Sequence, residues 1–411
     1  MPSQIFTNIQ LLVNATETPK RVRGPEMRIL PTVSNAYLII EDGIIAGYGK
    51  ADETNIDLRN AIHLPQGTHV LPAWCDSHTH LVFAVSREDE FVKKIQGKSY
   101  ADIASEGGGI LNSAKKLNDT SENLLFSEAW ARLEAVCRLG TGAIEIKSGY
   151  GLTLEGELKM LRVIKKLKEK SNLTIKSTFL GAHAYPSPFQ NDHNEYIDLL
   201  INQLLPIIAE EKLADFIDVF CETSFFSPEE MERICVAGKK YNLPAKLHVN
   251  QLSSIGGVQK GISLGALSLD HLETLTDDDI WDLGKFDGTS TLLPGASFFL
   301  GMSPAPARKL MDAGAAIAIA SDYNPGSSPS GNMNFMFSLA CIQLKMLPEE
   351  AINAATINGA IAMQVEDICG SITLGKKANL IFTKPIPSLS YLPYSFAQDH
   401  INKVMINGAF I

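Results

Sequence analysis

No stretch of the 411 residues holds the run of about 18 apolar side chains that would suggest a membrane-spanning helix. Basic charge is short as well: 36 Lys and Arg stand against 46 Asp and Glu, a formal net charge of −10. That balance argues against a nucleic-acid partner, which calls for a basic stripe, and gives no long-range attraction to an acidic membrane surface. Cysteine is scarce and scattered, at 75, 137, 221, 235, 341 and 369, with no C-x-x-C. This excludes a disulfide framework and fits reduced, mostly buried thiols in a cytosolic enzyme. The opening "MPSQIFTNIQLLVNATETPKRV" lacks a basic segment ahead of an apolar one, so no secretory signal is expected and the cytoplasm is the expected compartment.

What is present is ordinary globular composition, 45% hydrophobic and 20% charged. Length alone suggests about two or three domains, although a barrel absorbs some 250 residues as one unit. The first sixty or so residues read as short strands, with an Asp-Gly turn between two apolar runs in "NAYLIIEDGIIAGYGK". From about residue 68 to 322, eight β-rich runs alternate with helical patterns. They are "HVLPAWCDSHTH", "GAIEIKSGYG", "TIKSTFLGAHAYP", "DFIDVFCETS", "AKLHVNQL", "GALSLDHLE", "GTSTLLPGA" and "AIAIASDYNPG". Helical segments between them include "EGELKMLRVIKKLKEK" and "SPEEMERICVAGKKYN", the latter opened by a cap at Ser227-Pro228-Glu229-Glu230. Eight such units point to an α/β chain with a (β/α)8 TIM barrel, whose functional residues sit at the C-terminal ends of its strands. After residue 345 the chain is helical ("LPEEAINAATINGAIAMQ") and then β-like again in "GSITLGKKANLIFTK" and "KVMINGAFI". We therefore expect 1–66 and 364–411 to form one small β-sandwich-like domain, with the barrel, 67–363, inserted between them.

The residues that carry chemistry cluster at the ends of these runs. In a strand, positions i and i+2 face the same side, so His78 and His80 can bind one cation together. An isolated H-x-H is a weak signal, since most such pairs are surface or turn histidines. It gains weight because His183, His248, His271 and Asp322 close later runs, and five of only nine histidines end strand-like segments. Singly, His183 reads as a loop residue before Pro186, His248 and His271 as satisfied core histidines, and Asp322 as a turn former. If the barrel closes, strands one and eight are neighbours, and His78, His80 and Asp322 converge. Three or four such ligands with an open position can lower the pKa of a bound water to about 7.

With these motifs in view, the chain resembles the amidohydrolase superfamily, and within it the imidazolonepropionase family. The stretches that carry the likeness are "DSHTHLVFAVSREDEF", "SYADIASEGGGIL", "EIKSGYGL", "STFLGAHAYP", "VFCE", "SLDHLE", "ASDYNPG" and "LPYSFA", spread over nearly the whole chain. The resemblance implies that His78, His80, His248 and Asp322 hold one divalent metal, zinc or iron. It implies that Arg87, Tyr150, His183 and Gln251 line the substrate pocket, and that Asn324, Gly326 and Ser327 lie near a substrate carboxylate. His271 would stand beside the reacting water, with Asp322 moving its proton and Gln251 hydrogen-bonding the ring. The implied reaction is hydrolysis of the cyclic amide of imidazolone propionate to N-formimino-glutamate in histidine degradation, by a homodimer.

Arg87 offers a planar fork suited to a carboxylate; without the family it would read as a solvated charge in "SREDEFVKK". Tyr150, beside Gly149 and Gly151, would read as a packed aromatic. "SEGGGIL" (105–111) lacks the Gly-Lys-Ser/Thr ending of a phosphate loop and follows no strand signal. We read it as a loop near the barrel mouth, with Tyr100 toward the substrate. The chain departs from the family at His248-Val249-Asn250-Gln251, where many members have His-Ala-Asp followed by Glu or Gln. Gln251 cannot act as a base, and Asn250 removes a possible charge beside His248. The fourth run has no lysine to bridge two metals, and Lys147 on the second run is a poor substitute, so a single metal is expected. The alternatives are another amidohydrolase, such as a nucleobase-type deaminase, and a metal-free scaffold on the same fold.

Overall fold

The regular structure of the first sixty or so residues is mostly strand, and local chemistry explains the hairpin within it. In the computed structural model, which describes residues 3–54, 56–57, 59–98 and 108–411, β1 (Gln4–Val13), β2 (Thr32–Glu41) and β3 (Ile44–Lys50) form an antiparallel meander. The Asp42-Gly43 turn between β2 and β3 has φ of 48° and 81°, the doubly positive geometry of a tight hairpin. Asn407-Gly408, between β15 (Ile401–Ile406) and β16 (Ala409–Phe410), repeats it at 49° and 78°. The two turns lie against each other: a Cβ on Gly43 would fall 2.5 Å from the Asn407 carbonyl oxygen. With β4 (Ile62–His63), β5 (His69–Pro72) and β14 (Leu380–Thr383), these strands make one mixed sheet from both termini. Its ends curl toward each other, because Ile44 bridges Lys377. Phe6, Ile9, Leu38, Val70 and Phe382 fill its own core.

All eight runs read as barrel strands contain one. In order they are β6 (Trp74–Asp76), β7 (Thr141–Lys147), β8 (Thr174–Ala182), β9 (Phe216–Cys221), β10 (Lys246–Val249), β11 (Ser268–His271), β12 (Thr289–Leu292) and β13 (Ile317–Ile319). They pair in sequence order, every pair parallel. The first run, however, is two strands. Its His69–Pro72 half belongs to the terminal sheet, pairing with β1 and β14. The chain crosses at Ala73, whose N–H still donates to Asn379 while Trp74 N–H donates to Gly140 on the barrel. Both halves are buried throughout, so a continuous apolar run conceals the break.

The helices follow their apolar stripes. Leu154–Lys170 turns Leu158, Leu161, Ile164 and Leu167 onto the strands and leaves its lysines outside. Pro228–Lys239 starts with a full capping box: Ser227 Oγ accepts from Glu230 N–H and the Glu230 carboxylate accepts from Ser227 N–H. Among the described residues no helix is long and apolar enough to cross a membrane, and no two cysteines are joined.

The turn-on-turn contact sets a test of the small sheet. Gly43→Ala forces a Cβ into a positive φ, at about 1–2 kcal/mol, and against the Asn407 carbonyl. The apparent urea midpoint should fall while bound metal, measured on the folded protein, stays unchanged.

Candidate metal centre and substrate pocket

The site is built where β6 and β13 meet. The two strands end the sheet path, and it is beyond their last residues that the segments pair: Asp322 N–H donates to His78 O at 3.0 Å, and His80 N–H to Tyr323 O at 2.9 Å. Asp76 reinforces the seam, its carboxylate accepting Ser321 N–H and the Ser321 hydroxyl. Residues 77–80 are therefore extended although they lie past β6, and His78 and His80 point the same way. Asp322 Oδ1 lies 3.5 Å from Nε2 of each. His248, on β10, brings its Nε2 to 3.3 Å from His80 Nε2. All four side chains are buried.

Their environment suits a cation. His78 donates Nδ1–H to Asp270 and His248 donates Nδ1–H to Asp218, each at 2.7 Å. Those bonds fix the tautomer and leave both Nε2 atoms as bare lone pairs directed inward. His78 Nε2 is buried with no hydrogen-bond partner, and the facing Nε2 atoms of His80 and His248 compete for one proton at most. Burial pushes the three imidazoles well below their ordinary value, so they stay neutral, which is the ligating form. Asp322 is raised to about 6, mainly by burial, against His271 and hydrogen bonds from Ser327 and Asn324. Two overlapping trios, His78–His80–Asp322 and His78–His248–His271, bring their ligand atoms within 4.8 Å of one another. Neutral nitrogens and a carboxylate oxygen converging with one proton at most to share among them fit one divalent metal.

His271 ends β11 and breaks strand alternation. Its φ is 86°, and Leu272 follows at 67°. Asp270 and His271 would otherwise face opposite sides, but here Asp270 reaches His78 while the His271 ring lies 5.2 Å from that of His248. Asp322 has a φ of 52°. Such conformations cost about 1–3 kcal/mol each and collect at functional sites. Glu273, unremarked in the sequence, lies 3.3 Å from His271 Nδ1. Burial works against charging His271, but Glu273, with Asp322 and Asp270, outweighs it and raises the imidazole above its ordinary value.

Around this centre, His183 stacks on His80 with centroids 5.2 Å apart and rings 18° from parallel, and Tyr150 packs against both. His183 donates to the Gly149 carbonyl through Nδ1, and burial lowers it to about 4, so it is neutral with Nε2 available as an acceptor. Arg87 is nearly covered, paired with Glu90, whose second oxygen accepts Gly109 N–H. It faces Gly326: a Cβ there would meet Arg87 Nη1 at 2.5 Å. Lys94, one helical face along, sets Nζ 3.2 Å from Gly326 O and was not singled out in the sequence.

The 324–327 turn closes on itself. Its Gly326 and Ser327 N–H groups donate to the Asn324 side chain, and Ser327 Oγ donates to Asp322 Oδ2 at 3.1 Å. These donors serve the turn and the carboxylate of Asp322, and Arg87 and Lys94 lie against the same turn at Gly326. Gln251 is half-buried beyond β10, its carbonyl accepting from Thr274. Asn250 binds Thr274 O and Asp279, away from His248, whose charged neighbour is Asp218, so its substitution costs that histidine no partner. Lys147 Nζ lies 2.8 Å from both Glu145 and Asp218, an ammonium held by carboxylates and unsuited to bridging metals. Tyr100 and residues 105–107 of the glycine segment lie outside the described residues.

Asp218, Asp270, Glu145, Lys246 and Glu273 were not singled out in the sequence, and Lys147 was weighed only as a bridge between metals. The available signal was charge at alternate positions of short buried runs, as in Glu145-x-Lys147 and Lys246-x-His248, where barrel interiors normally carry Val, Ile and Leu.

Residues 146–411 match the model of the amidohydrolase family. A protein of Flavobacterium johnsoniae named imidazolonepropionase is 53% identical over 408 residues, 99% of each chain, and one of Christiangramia forsetii with the same name is 52% identical over 419 positions, again 99% of each. The solved guanine deaminase of C. acetobutylicum, with guanine bound, superposes with a TM-score of 0.71 at 15% identity over 100% of both chains, a likeness of fold.

The His271–Glu273 pair makes a prediction in pH. A histidine raised in the folded state adds stability that is complete below its unfolded pKa, near 6.5, and is lost as pH rises through the folded value. In metal-free protein, Glu273→Gln should move the His271 ring titration, followed by NMR, to lower pH. The stability gap to wild type should be widest below about pH 6.5 and narrow above it.

Proposed function

The chain belongs to the amidohydrolase family and, within it, to the imidazolonepropionases, and on that premise we propose that it hydrolyses the ring of 4-imidazolone-5-propanoate to N-formimino-L-glutamate, a step of histidine degradation. The observation that carries this reading is the convergence of four buried side chains able to ligate, His78, His80, His248 and Asp322, beside His271, with Arg87 and Lys94 against Gly326, four residues on from Asp322. The reading includes one metal, zinc or iron, since imidazole and carboxylate suit both. It also includes a homodimer working in the cytoplasm.

When bound, the cation acidifies water and polarises the ring carbonyl. The residues do the rest. A water attacks C4, and Asp322, held by Ser327 and raised toward neutrality, takes its proton. His271, its basicity raised by Glu273, donates toward the oxygen that gathers charge at C4. The C4–N3 bond then breaks, and N3 receives the proton from Asp322, so that one water is consumed and one ring opened. His183 and Tyr150 wall the ring, and Gln251, a donor and acceptor without basicity, hydrogen-bonds it.

The propionate lies toward Arg87 and Lys94. Glu90 neutralises one of these two cations, which leaves one positive charge for one carboxylate. Lys94 is half-buried, and burial with Arg87 nearby lowers its pKa, the environment of a cation awaiting a counter-ion.

Purified protein loaded with zinc or iron should consume imidazolone propionate and release N-formimino-glutamate. His78→Ala should lose both metal and turnover. Arg87→Ala and Lys94→Gln should keep the metal and raise KM by about 10- to 100-fold, the worth of a charged hydrogen bond of about 1.5–3 kcal/mol. Release of ammonia from guanine or cytosine, with imidazolone propionate untouched, would instead identify a nucleobase-type deaminase.

A further inference from the structure

Directly beneath the four candidate ligands the barrel interior carries a layer of charge. Glu145 and Lys147 enter it from β7, Asp218 from β9, Lys246 from β10 and Asp270 from β11, all fully buried. Lys147 Nζ lies 2.8 Å from Glu145 Oε1, 2.8 Å from Asp218 Oδ2 and 3.7 Å from Asp270 Oδ2. The last two oxygens are the same atoms that accept from His248 Nδ1 and His78 Nδ1, each at 2.7 Å. One ammonium therefore stands behind two histidines that come from strands on different sides of the barrel. Lys246 is a weaker partner, 3.2 Å from Glu145 Oε2 and 3.9 Å from Asp270 Oδ2, and does not approach Asp218 within ion-pair distance.

We propose that Lys147 is a positioning residue that joins His78 and His248, through Asp270 and Asp218, into a single metal-binding unit. The proposal rests on the metal-site reading above and extends it to a residue that touches neither metal nor substrate. Physically, two aspartates and a glutamate meet in a water-poor interior with two ammonium groups. Removing Lys147 leaves three carboxylates to one ammonium, and their mutual repulsion moves the two aspartates off the positions from which each holds the Nδ1–H of its histidine. Because the ammonium serves both aspartates, the two histidines should lose their orientation together.

The test is metal affinity by chelator competition in wild type, Lys147→Met, Asp218→Asn and the double variant, with the fold checked by circular dichroism. Lys147→Met should stay folded and bind metal on the order of 10- to 100-fold more weakly, the range for loss of a group that orients a ligand. Asp218→Asn should cost less in the Lys147→Met background than in wild type. In metal-free protein, ring nitrogen NMR should show both His78 and His248 leaving the Nδ1–H tautomer in Lys147→Met. Wild-type affinity in Lys147→Met, losses that simply multiply, or a tautomer change at one histidine only would overturn the proposal. Should Lys147→Met not fold, the cycle of Asp218→Asn and Asp270→Asn decides: a combined loss below the product of the two supports the link, and the full product overturns it. A wild-type protein that binds no metal overturns the metal-site reading itself, a result distinct from all of these.

Discussion

The site depends on a seam two hydrogen bonds wide. Where β6 and β13 run out, Asp322 N–H meets His78 O and His80 N–H meets Tyr323 O, with Asp76 clamping Ser321 just below. Barrel closure is what makes residue 78 a neighbour of residue 322, and the extended backbone of the seam gives His78 and His80 a common side. Any change that opened the barrel here would separate Asp322 from both histidines, whatever the condition of the other strands.

Closure alone would leave the four candidate ligands free to turn. Their precision comes from the charged layer below, which is costly to build: an ion pair in such an interior repays its desolvation only with good geometry, and losing one partner costs about 3–5 kcal/mol. An apolar filling would stabilise the barrel as well or better. The layer is best understood as an orienting device, because its aspartates spend one oxygen each on a histidine Nδ1–H. The positive φ at His271, Leu272 and Asp322 belongs to the same trade, strain accepted where side chains must leave the strand's alternation.

The mouth follows a simpler logic of charge. Arg87, Glu90 and Lys94 share one helical face, and the carboxylate that neutralises the arginine also accepts Gly109 N–H, tying this helix to the start of the Gly109–Asp119 helix. The 324–327 turn, where the family likeness implies a substrate carboxylate, closes on itself and supports Asp322.

Much of this was legible in one dimension. Period-two runs, helix caps such as Ser227, and the Asp42-Gly43 turn are local, since hydrogen bonds and φ preferences act over a few residues. The order of eight βα units followed from them, and His78, His80, His248 and Asp322 were findable because they end those units. The split of residues 69–80 between two sheets was not, because buried strands read alike whichever sheet they join. Nor was the pairing of Asp270 with His78, 192 residues away, or the meeting of Lys147 with both aspartates. Sequence determined which residues could ligate and which strands would carry them. Only the closed barrel decided which carboxylate stands behind which imidazole, since that depends on strand stagger and on the turn at His271, and neither is written in residue spacing.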